Sequence, residues 1–121
     1  MTTLEPATLE RFVAADPDGP VVMLNLLRFV PGGADKYMQY IQQFNSTGVG
    51  ERYGVTIVYA GVGDPPVVTT GGPDWDMVVV VSYPSRKHFV QMINDPDYRR
   101  FENLRTEALA ATILQPTRPM Q

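Results

Sequence analysis

An unbroken run of five apolar residues at positions 77–81 restricts the folds open to this 121-residue chain more than any other feature. A strand with one wet face alternates apolar and polar residues, so a continuous run predicts a strand that is covered on both faces. Pro84 cannot donate to a β ladder and is predicted to end this strand. Ser85 then stands where a helix N-cap is expected. The apolar stripe of the predicted helix consists of Phe89, Met92 and Ile93.

The remaining apolar patterns divide the chain into further strands and helices. A second strand with two apolar faces is predicted at 21–29, interrupted by Asn25 and Arg28, and an amphipathic helix follows at 34–46. Asp95 and Pro96 together predict the start of a last helix. The other predicted elements are a short helix at 6–15, a strand at 55–60, a Gly- and Pro-rich loop at 61–74 in which Val67 and Val68 could add a short edge strand, the last helix at 96–110, a strand at 111–115 and a loose tail at 116–121.

This order of elements predicts an α+β fold of the ferredoxin-like split βαβ type, with one antiparallel sheet. We expect a single domain, made of the N-terminal helix at 6–15, a core at 20–115 and the tail at 116–121. The helices of such a fold cover one sheet face only, yet the first and third strands are apolar on both faces. Each Val or Leu side chain that stays exposed to water there loses about 1.5–3 kcal/mol of the stabilisation that its burial would give. A second copy covering that face is the simplest solution, so a homodimer that forms an α/β barrel is predicted.

Composition and charge exclude several classes of function. A net charge of −3 without a Lys/Arg cluster argues against a nucleic-acid surface. The absence of cysteine excludes a disulfide framework and thiolate chemistry. The aspartates are scattered without metal-ligand spacing, so no metal site is predicted. The N-terminal sequence lacks the features of a signal peptide and no apolar run reaches the roughly 18 residues of a membrane span, which predicts a cytoplasmic protein without membrane contact.

Four parts of the sequence together resemble a known family. The strand at 21–29, the turn at 83–85, the segment at 95–98 and Arg105 are similar to the family catalogued as domain of unknown function 1330, within the dimeric α/β-barrel superfamily. The resemblance covers most of residues 20–115 and implies a ferredoxin-like subunit whose sheet packs against that of its partner. It does not choose a reaction, because the superfamily includes cofactor-free quinone-forming monooxygenases, muconolactone isomerases, haem-degrading oxygenases and ligand-binding modules.

The haem-degrading branch of the superfamily can be compared residue by residue. That branch carries an asparagine in a strand, a tryptophan just before the serine that caps the helix, and an iron-binding histidine on the next helix. Asn25 matches the first, but Tyr83 replaces the tryptophan and Glu102 stands at the histidine position. A carboxylate is a poor replacement for the iron-ligating imidazole. The comparison therefore implies that haem is not bound, and no cofactor is predicted.

Asn25 is the strongest candidate for a ligand-binding residue. A buried amide without partners costs on the order of 1–3 kcal/mol, so this side chain must be hydrogen-bonded. It could orient the carbonyl group of a substrate. Alternatively, it could make a structural hydrogen bond to a neighbouring strand or to Arg28. Both interpretations stay open from the sequence.

Arg105 and several tyrosines are further candidates. Arg105 lies two helical turns after Tyr98 on the same helix face and could clamp a carboxylate or phenolate with its planar fork. The alternative is a surface ion pair with Glu102. Four tyrosines could donate phenolic hydroxyl groups to a pocket, although aromatic residues at such positions are more often part of the core. They are Tyr37, Tyr59, Tyr83 and Tyr98.

His88 is the only histidine and is therefore a candidate general acid or base. Its neighbours Arg86 and Lys87 indicate a solvated helix face, which makes it a weak one.

Two functional hypotheses follow from these residues. In the first, a pocket anchored by Asn25, Tyr83 and Arg105 binds a small, largely apolar organic molecule such as a carbonyl compound. The domain would then be a ligand-binding protein or a cofactor-independent enzyme of monooxygenase or isomerase type. In the second, the protein is a non-catalytic ligand sensor or accessory dimer, since the sequence shows no nucleophile–base pair. The sequence does not decide whether the protein is an enzyme.

Overall fold

The structure is a computed structural model that describes residues 4–120. Within these residues the chain alternates helices and strands in the order predicted for a ferredoxin-like fold. The elements are α1 (Pro6–Ala15), β1 (Val21–Phe29), α2 (Gly33–Ser46), α3 (Val49–Arg52), β2 (Thr56–Val62), β3 (Met77–Tyr83), α4 (Arg86–Asn94), α5 (Pro96–Ala108) and β4 (Leu109–Thr117).

The four strands form one sheet in the order β2-β3-β1-β4, and every neighbouring pair is antiparallel. The α2–α3 segment connects β1 to β2, and the α4–α5 segment connects β3 to β4. The two long apolar strands, β1 and β3, lie side by side at the centre of the sheet, as their composition predicts. The predicted α+β fold with ferredoxin-like topology is confirmed.

Strand pairing between β1 and β3 determines which side chains share a sheet face. Val21 lies opposite Tyr83, Met23 opposite Val81, and Asn25 opposite Val79. These residues are buried, and they join the apolar residues of the helices in one core. This inner face of the sheet is where the predicted Asn25 site must lie, because successive strand residues point to opposite faces.

The other side of the sheet, here called the outer sheet face, carries a second set of apolar side chains. Its central positions pair across the strands, with Leu24 opposite Val80 and Leu26 opposite Val78 and Ile113. Ile113 is exposed. The helices pack into the core on the inner face, so the apolar outer face that the sequence predicts is present in the subunit.

Polar side chains define the starts of the last two helices. The Ser85 hydroxyl accepts a hydrogen bond from the backbone N–H of His88 at 3.1 Å and begins α4. The Asp95 carboxylate accepts from the backbone N–H of Asp97 at 2.8 Å and begins α5, with Pro96 in its first turn. Both caps agree with the sequence prediction, and they fix the short α4–α5 connection.

Two local predictions were wrong, and one short helix was not predicted. Val67 and Val68 form no strand and are 100% and 87% exposed. The one-turn helix α3 follows Gly48, whose left-handed φ of 72° ends the preceding helix, and no apolar periodicity announces so short an element. Strand β4 extends to Thr117 and includes Pro116, which the tail prediction excluded. Proline is tolerated there because β4 is an edge strand. Gln121, the end of the predicted tail, lies outside the described residues.

Asp95 also ties α3 to the α4–α5 junction. Its carboxylate accepts hydrogen bonds from the Tyr53 hydroxyl at 2.6 Å and from the Arg52 guanidinium at 2.7 Å. The same arginine reaches Asp97 at 3.1 Å. The hydrogen bonds from Tyr53, Arg52 and the backbone of Asp97 lower the pKa of Asp95 from 3.8 to about 2. The side chain is covered mainly by the polar groups that bind it, so loss of hydration is the smaller effect.

The Asp95 network predicts a stability difference that depends on pH. The variant Asp95→Asn should melt at a lower temperature than the wild type at neutral pH, because a neutral amide loses the charge-assisted bonds. The pKa of Asp95 is lower in the folded protein, so its contribution is present above about pH 4 and disappears as the pH falls towards 2. Thermal melts of both proteins at a series of pH values should therefore converge at the acidic end. A difference that stays constant down to pH 2 would contradict this role.

No helix in the described part of the chain is long and apolar enough to cross a membrane.

Candidate functional site

A cavity of about 340 Å³ lies between the inner sheet face and the helices. Its apolar wall comes from Phe89, Met92 and Ile93 of α4 and Leu114 of β4. On its polar side are Asn25, Tyr83, Tyr98, Glu102 and Arg105. Residues from three strands and four helices meet here because the antiparallel topology brings both crossover segments onto the same sheet face.

The first helix closes one side of this cavity. Leu9 of α1 lines it, and α1 is attached to α4 by an edge-on contact between the rings of Phe12 and Phe89, with centroids 5.4 Å apart. The buried guanidinium of Arg86 lies 4.7 Å from the centroid of the Phe12 ring and donates to the Phe12 carbonyl at 3.0 Å. The N-terminal helix is thus part of the wall of the site.

Asn25 and Arg105 form the polar centre of the site. The Asn25 amide nitrogen donates to the backbone carbonyl of Val79 on β3 at 3.3 Å. Its oxygen accepts from the Arg105 guanidinium at 3.2 Å. The structural alternative for Asn25, a bond to a neighbouring strand, is therefore present. Arg28, the other proposed partner of Asn25, donates instead to the Asp74 carbonyl at 3.1 Å.

The alternative proposed for Arg105 is not observed. Within residues 4–120, Arg105 makes no ion pair with Glu102 or with any other carboxylate. Its side chain is half-buried in the cavity wall, and its hydrogen bond goes to the neutral amide of Asn25. A guanidinium carries five N–H donors, and the hydrogen bond to this amide uses only one of them.

Four tyrosines surround this pair, and three of them were predicted site residues. Tyr40 and Tyr98 share a hydrogen bond of 2.9 Å between their hydroxyl groups. Tyr83 lines the cavity, and its hydroxyl makes no hydrogen bond to another residue of 4–120. Tyr37 lies beside the same arginine at the edge of a smaller adjoining pocket. Tyr40 was not predicted as a site residue, because the sequence places it only in the amphipathic helix predicted at 34–46.

Burial keeps these phenols protonated. Loss of hydration raises the pKa of Tyr83 and Tyr40 well above the usual value, and raises the pKa of Tyr37 and Tyr98 as well. The positive charge of Arg105 acts in the opposite direction on all four, and the buried environment outweighs it. At neutral pH the polar centre of the site therefore offers phenolic hydroxyl groups beside the Arg105 guanidinium.

Two predicted candidates lie elsewhere. Tyr59 is 58% exposed, pairs with Val80, and is not part of the cavity wall. The His88 ring lies in the first turn of α4, where its Nδ1 is 2.6 Å from the Ser85 hydroxyl, and it does not line the cavity. The described residues also contain no group of three or more His, Cys, Asp or Glu side chains placed to hold a metal ion.

Three solved structures place this geometry among known proteins. A Rhodopseudomonas palustris protein of unknown function is 31% identical, with a TM-score of 0.86 over 98% of this chain and 96% of its own. A putative antibiotic biosynthesis monooxygenase from Bacteroides thetaiotaomicron is 14% identical, with a TM-score of 0.62 over 85% of this chain and 91% of its own. A dimeric ferredoxin-like protein of unknown function from Thermobifida fusca is 17% identical, with a TM-score of 0.52 over 81% of this chain and 89% of its own.

The two more distant structures share the fold alone with this chain. No curated protein matches it. A family model does match, over residues 32–115, and that segment contains α2, α3, β2, β3, α4 and α5 entirely, together with most of β4. The chain belongs to the family described as domain of unknown function 1330.

Proposed function

We propose that the cavity binds a small, largely apolar organic molecule, with Asn25, Tyr83 and Arg105 as its polar anchors. The observation that carries this proposal is that Asn25, Tyr83 and the incompletely hydrogen-bonded Arg105 line one cavity together with apolar side chains. Small-molecule sites are concave, mostly apolar and supplied with a few placed polar groups, and a volume of about 340 Å³ falls at the small end of their range.

The polar groups of the cavity also bear on catalysis. The tyrosines hold their protons at neutral pH, so they could stabilise an oxyanion on a bound carbonyl compound without any cofactor. The Bacteroides protein named above as a putative monooxygenase shares this fold. We therefore include a cofactor-independent enzyme of monooxygenase or isomerase type in the proposal. The alternative is a non-catalytic ligand-binding dimer, which is favoured by the position of the Ser85–His88 pair outside the cavity wall.

We also propose that the protein acts as a homodimer whose outer sheet faces pack together as a barrel. Support comes from the apolar side chains of the outer sheet face, centred on Leu24 and Leu26 of β1 and Val80 of β3. Apolar patches of this kind on a small protein commonly mark association surfaces. The Thermobifida fusca protein that shares the fold is a dimer. Function in the cytoplasm stays a prediction from the sequence.

A screen of small organic fragments by ligand-observed NMR tests the binding proposal. The variant Leu114→Trp should abolish the binding of fragments that occupy the cavity, because the larger side chain fills space in its wall. The matched control Val67→Trp places the same side chain on an exposed loop and should bind like the wild type. A wild-type protein that binds no fragment, or fragments that bind Leu114→Trp equally well, would contradict the proposal.

A further inference from the structure

We propose that the cavity selects small organic anions of the carboxylate type, and that Arg105 recognises their charge. This inference rests on the proposed function and adds the charge of the ligand, which the size and apolar wall of the cavity leave open. The ligand would have a compact apolar body and a single carboxylate group.

The first argument is that Arg105 lines the cavity, is half-buried and has no carboxylate partner among the described residues. Arg52 is paired with Asp95 and Asp97, and Arg100 is paired with Asp97. Arg105 is half-buried, and within the described residues its side chain bonds only to the Asn25 amide. A partly desolvated guanidinium favours an anionic partner, and its fork matches the two oxygens of a carboxylate.

The phenols around Arg105 do not neutralise it. Burial raises the pKa of Tyr83 and of Tyr98, so both stay uncharged at neutral pH. The Tyr98 hydroxyl is hydrogen-bonded to Tyr40, whereas the Tyr83 hydroxyl lines the cavity without a hydrogen bond to another described residue. A carboxylate in the cavity could therefore accept hydrogen bonds from both Arg105 and Tyr83.

The charges that line the cavity favour an anion. Arg99 and Arg105 contribute two positive charges and Glu102 one negative charge. Arg99 donates to the Asn94 side chain at 2.9 Å, which leaves its charge uncompensated as well. The whole chain has a net charge of −3, so this local positive excess does not follow from its composition.

The wall opposite the polar centre limits what can carry the carboxylate. Phe89, Met92, Ile93 and Leu114 face the cavity and offer no hydrogen bonds from their side chains. Polar groups of a ligand that face these four side chains would stay unpaired, although Asn94, Asn103, Thr106 and Thr112 supply polar positions elsewhere in the lining. An aromatic or short aliphatic acid fits both sides of the cavity.

Titrations with matched pairs of acids and amides test the inference. The pairs are benzoate with benzamide, phenylacetate with phenylacetamide, and hexanoate with hexanamide, each followed by protein-observed NMR at neutral pH. At least one acid should bind roughly tenfold or more tightly than its amide, because a hydrogen bond to a charged group is stronger than a neutral one. The variant Arg105→Gln keeps a donor for Asn25 but should lose this preference.

The matched control is Arg100→Gln, which removes an exposed arginine from the same helix that does not line the cavity and should keep the preference. Arg105→Lys retains the charge and should keep part of it, and it provides the comparison if Arg105→Gln does not fold. Amides that bind the wild type as tightly as the acids would overturn the inference and leave the proposed function standing. If no acid binds, the inference is wrong, and the proposed function is then decided by the fragment screen with Leu114→Trp.

Discussion

The substitution Leu24→Asp should convert the proposed dimer into a folded monomer. Leu24 lies on the central strand β1, opposite Val80 on one side and Gln115 on the other, in the middle of the outer sheet face. In a symmetric dimer the change occurs twice. Each lost leucine contact removes about 1.5–3 kcal/mol of apolar burial, and each new carboxylate must be desolvated. The dimer dissociation constant should therefore rise by roughly a hundredfold or more.

Sedimentation equilibrium at micromolar concentrations measures this change directly. Met38→Asp is the matched control, because Met38 is an exposed apolar residue on helix α2, away from the sheet. That variant should stay dimeric, and circular dichroism should show that both variants are folded. A wild-type protein that sediments as a monomer would overturn the dimer proposal, and so would a Leu24→Asp variant that still forms the wild-type dimer.

The fold could be predicted because the period of the apolar pattern separates strands from helices. The continuous apolar runs of β1 and β3 identified the two central strands, and Ser85 and Asp95 marked the starts of α4 and α5. These signals are local, so one sequence is enough to read them. Val67 and Val68 show the limit of such signals, since two β-branched residues in a loop without pairing partners do not form a strand.

The candidate site could be predicted only in part, because it depends on strand register and on contacts between distant residues. Tyr59 illustrates the first difficulty. Ile57 pairs with Val81, but Tyr59 pairs with Val80, so one extra residue at Val58 forms a bulge. Without that bulge, Tyr59 would lie opposite Val79 on the inner face, beside Asn25. A slip of one residue moves a side chain to the other face, and nothing in the local sequence specifies it.

Tyr40 illustrates the second difficulty. Its position in the apolar stripe of α2 predicts burial, and the residue is buried. The partner of its hydroxyl is Tyr98, 58 residues further along the chain, where α2 and α5 pack together. Periodicity assigns a side chain to a helix face, but it does not give the distance between two side chains on different helices. The same holds for the contact between Asn25 and Arg105, which are 80 residues apart.

Asn25→Leu should weaken both the fold and the binding of a ligand. The Asn25 side chain is buried and links the Val79 carbonyl of β3 to the guanidinium of Arg105 on α5. Leucine has nearly the same size but neither donor nor acceptor, so both partners lose a hydrogen bond. Unfolding should become easier by about 1–3 kcal/mol. Since Arg105 is no longer held by an acceptor on the sheet, any ligand that it anchors should also bind less tightly.

Chemical denaturation of the wild type and of Asn25→Leu measures the change in the free energy of unfolding. Titration with the fragments that occupy the cavity measures the change in ligand affinity. Asn45→Leu, the same replacement at an exposed position of α2, should change neither quantity appreciably. The two measurements separate the roles of this amide. A variant that is destabilised but binds normally would leave Asn25 with a purely structural role. A variant that is as stable as the wild type but no longer binds would mean that its hydrogen bonds serve the ligand site and contribute little to the fold.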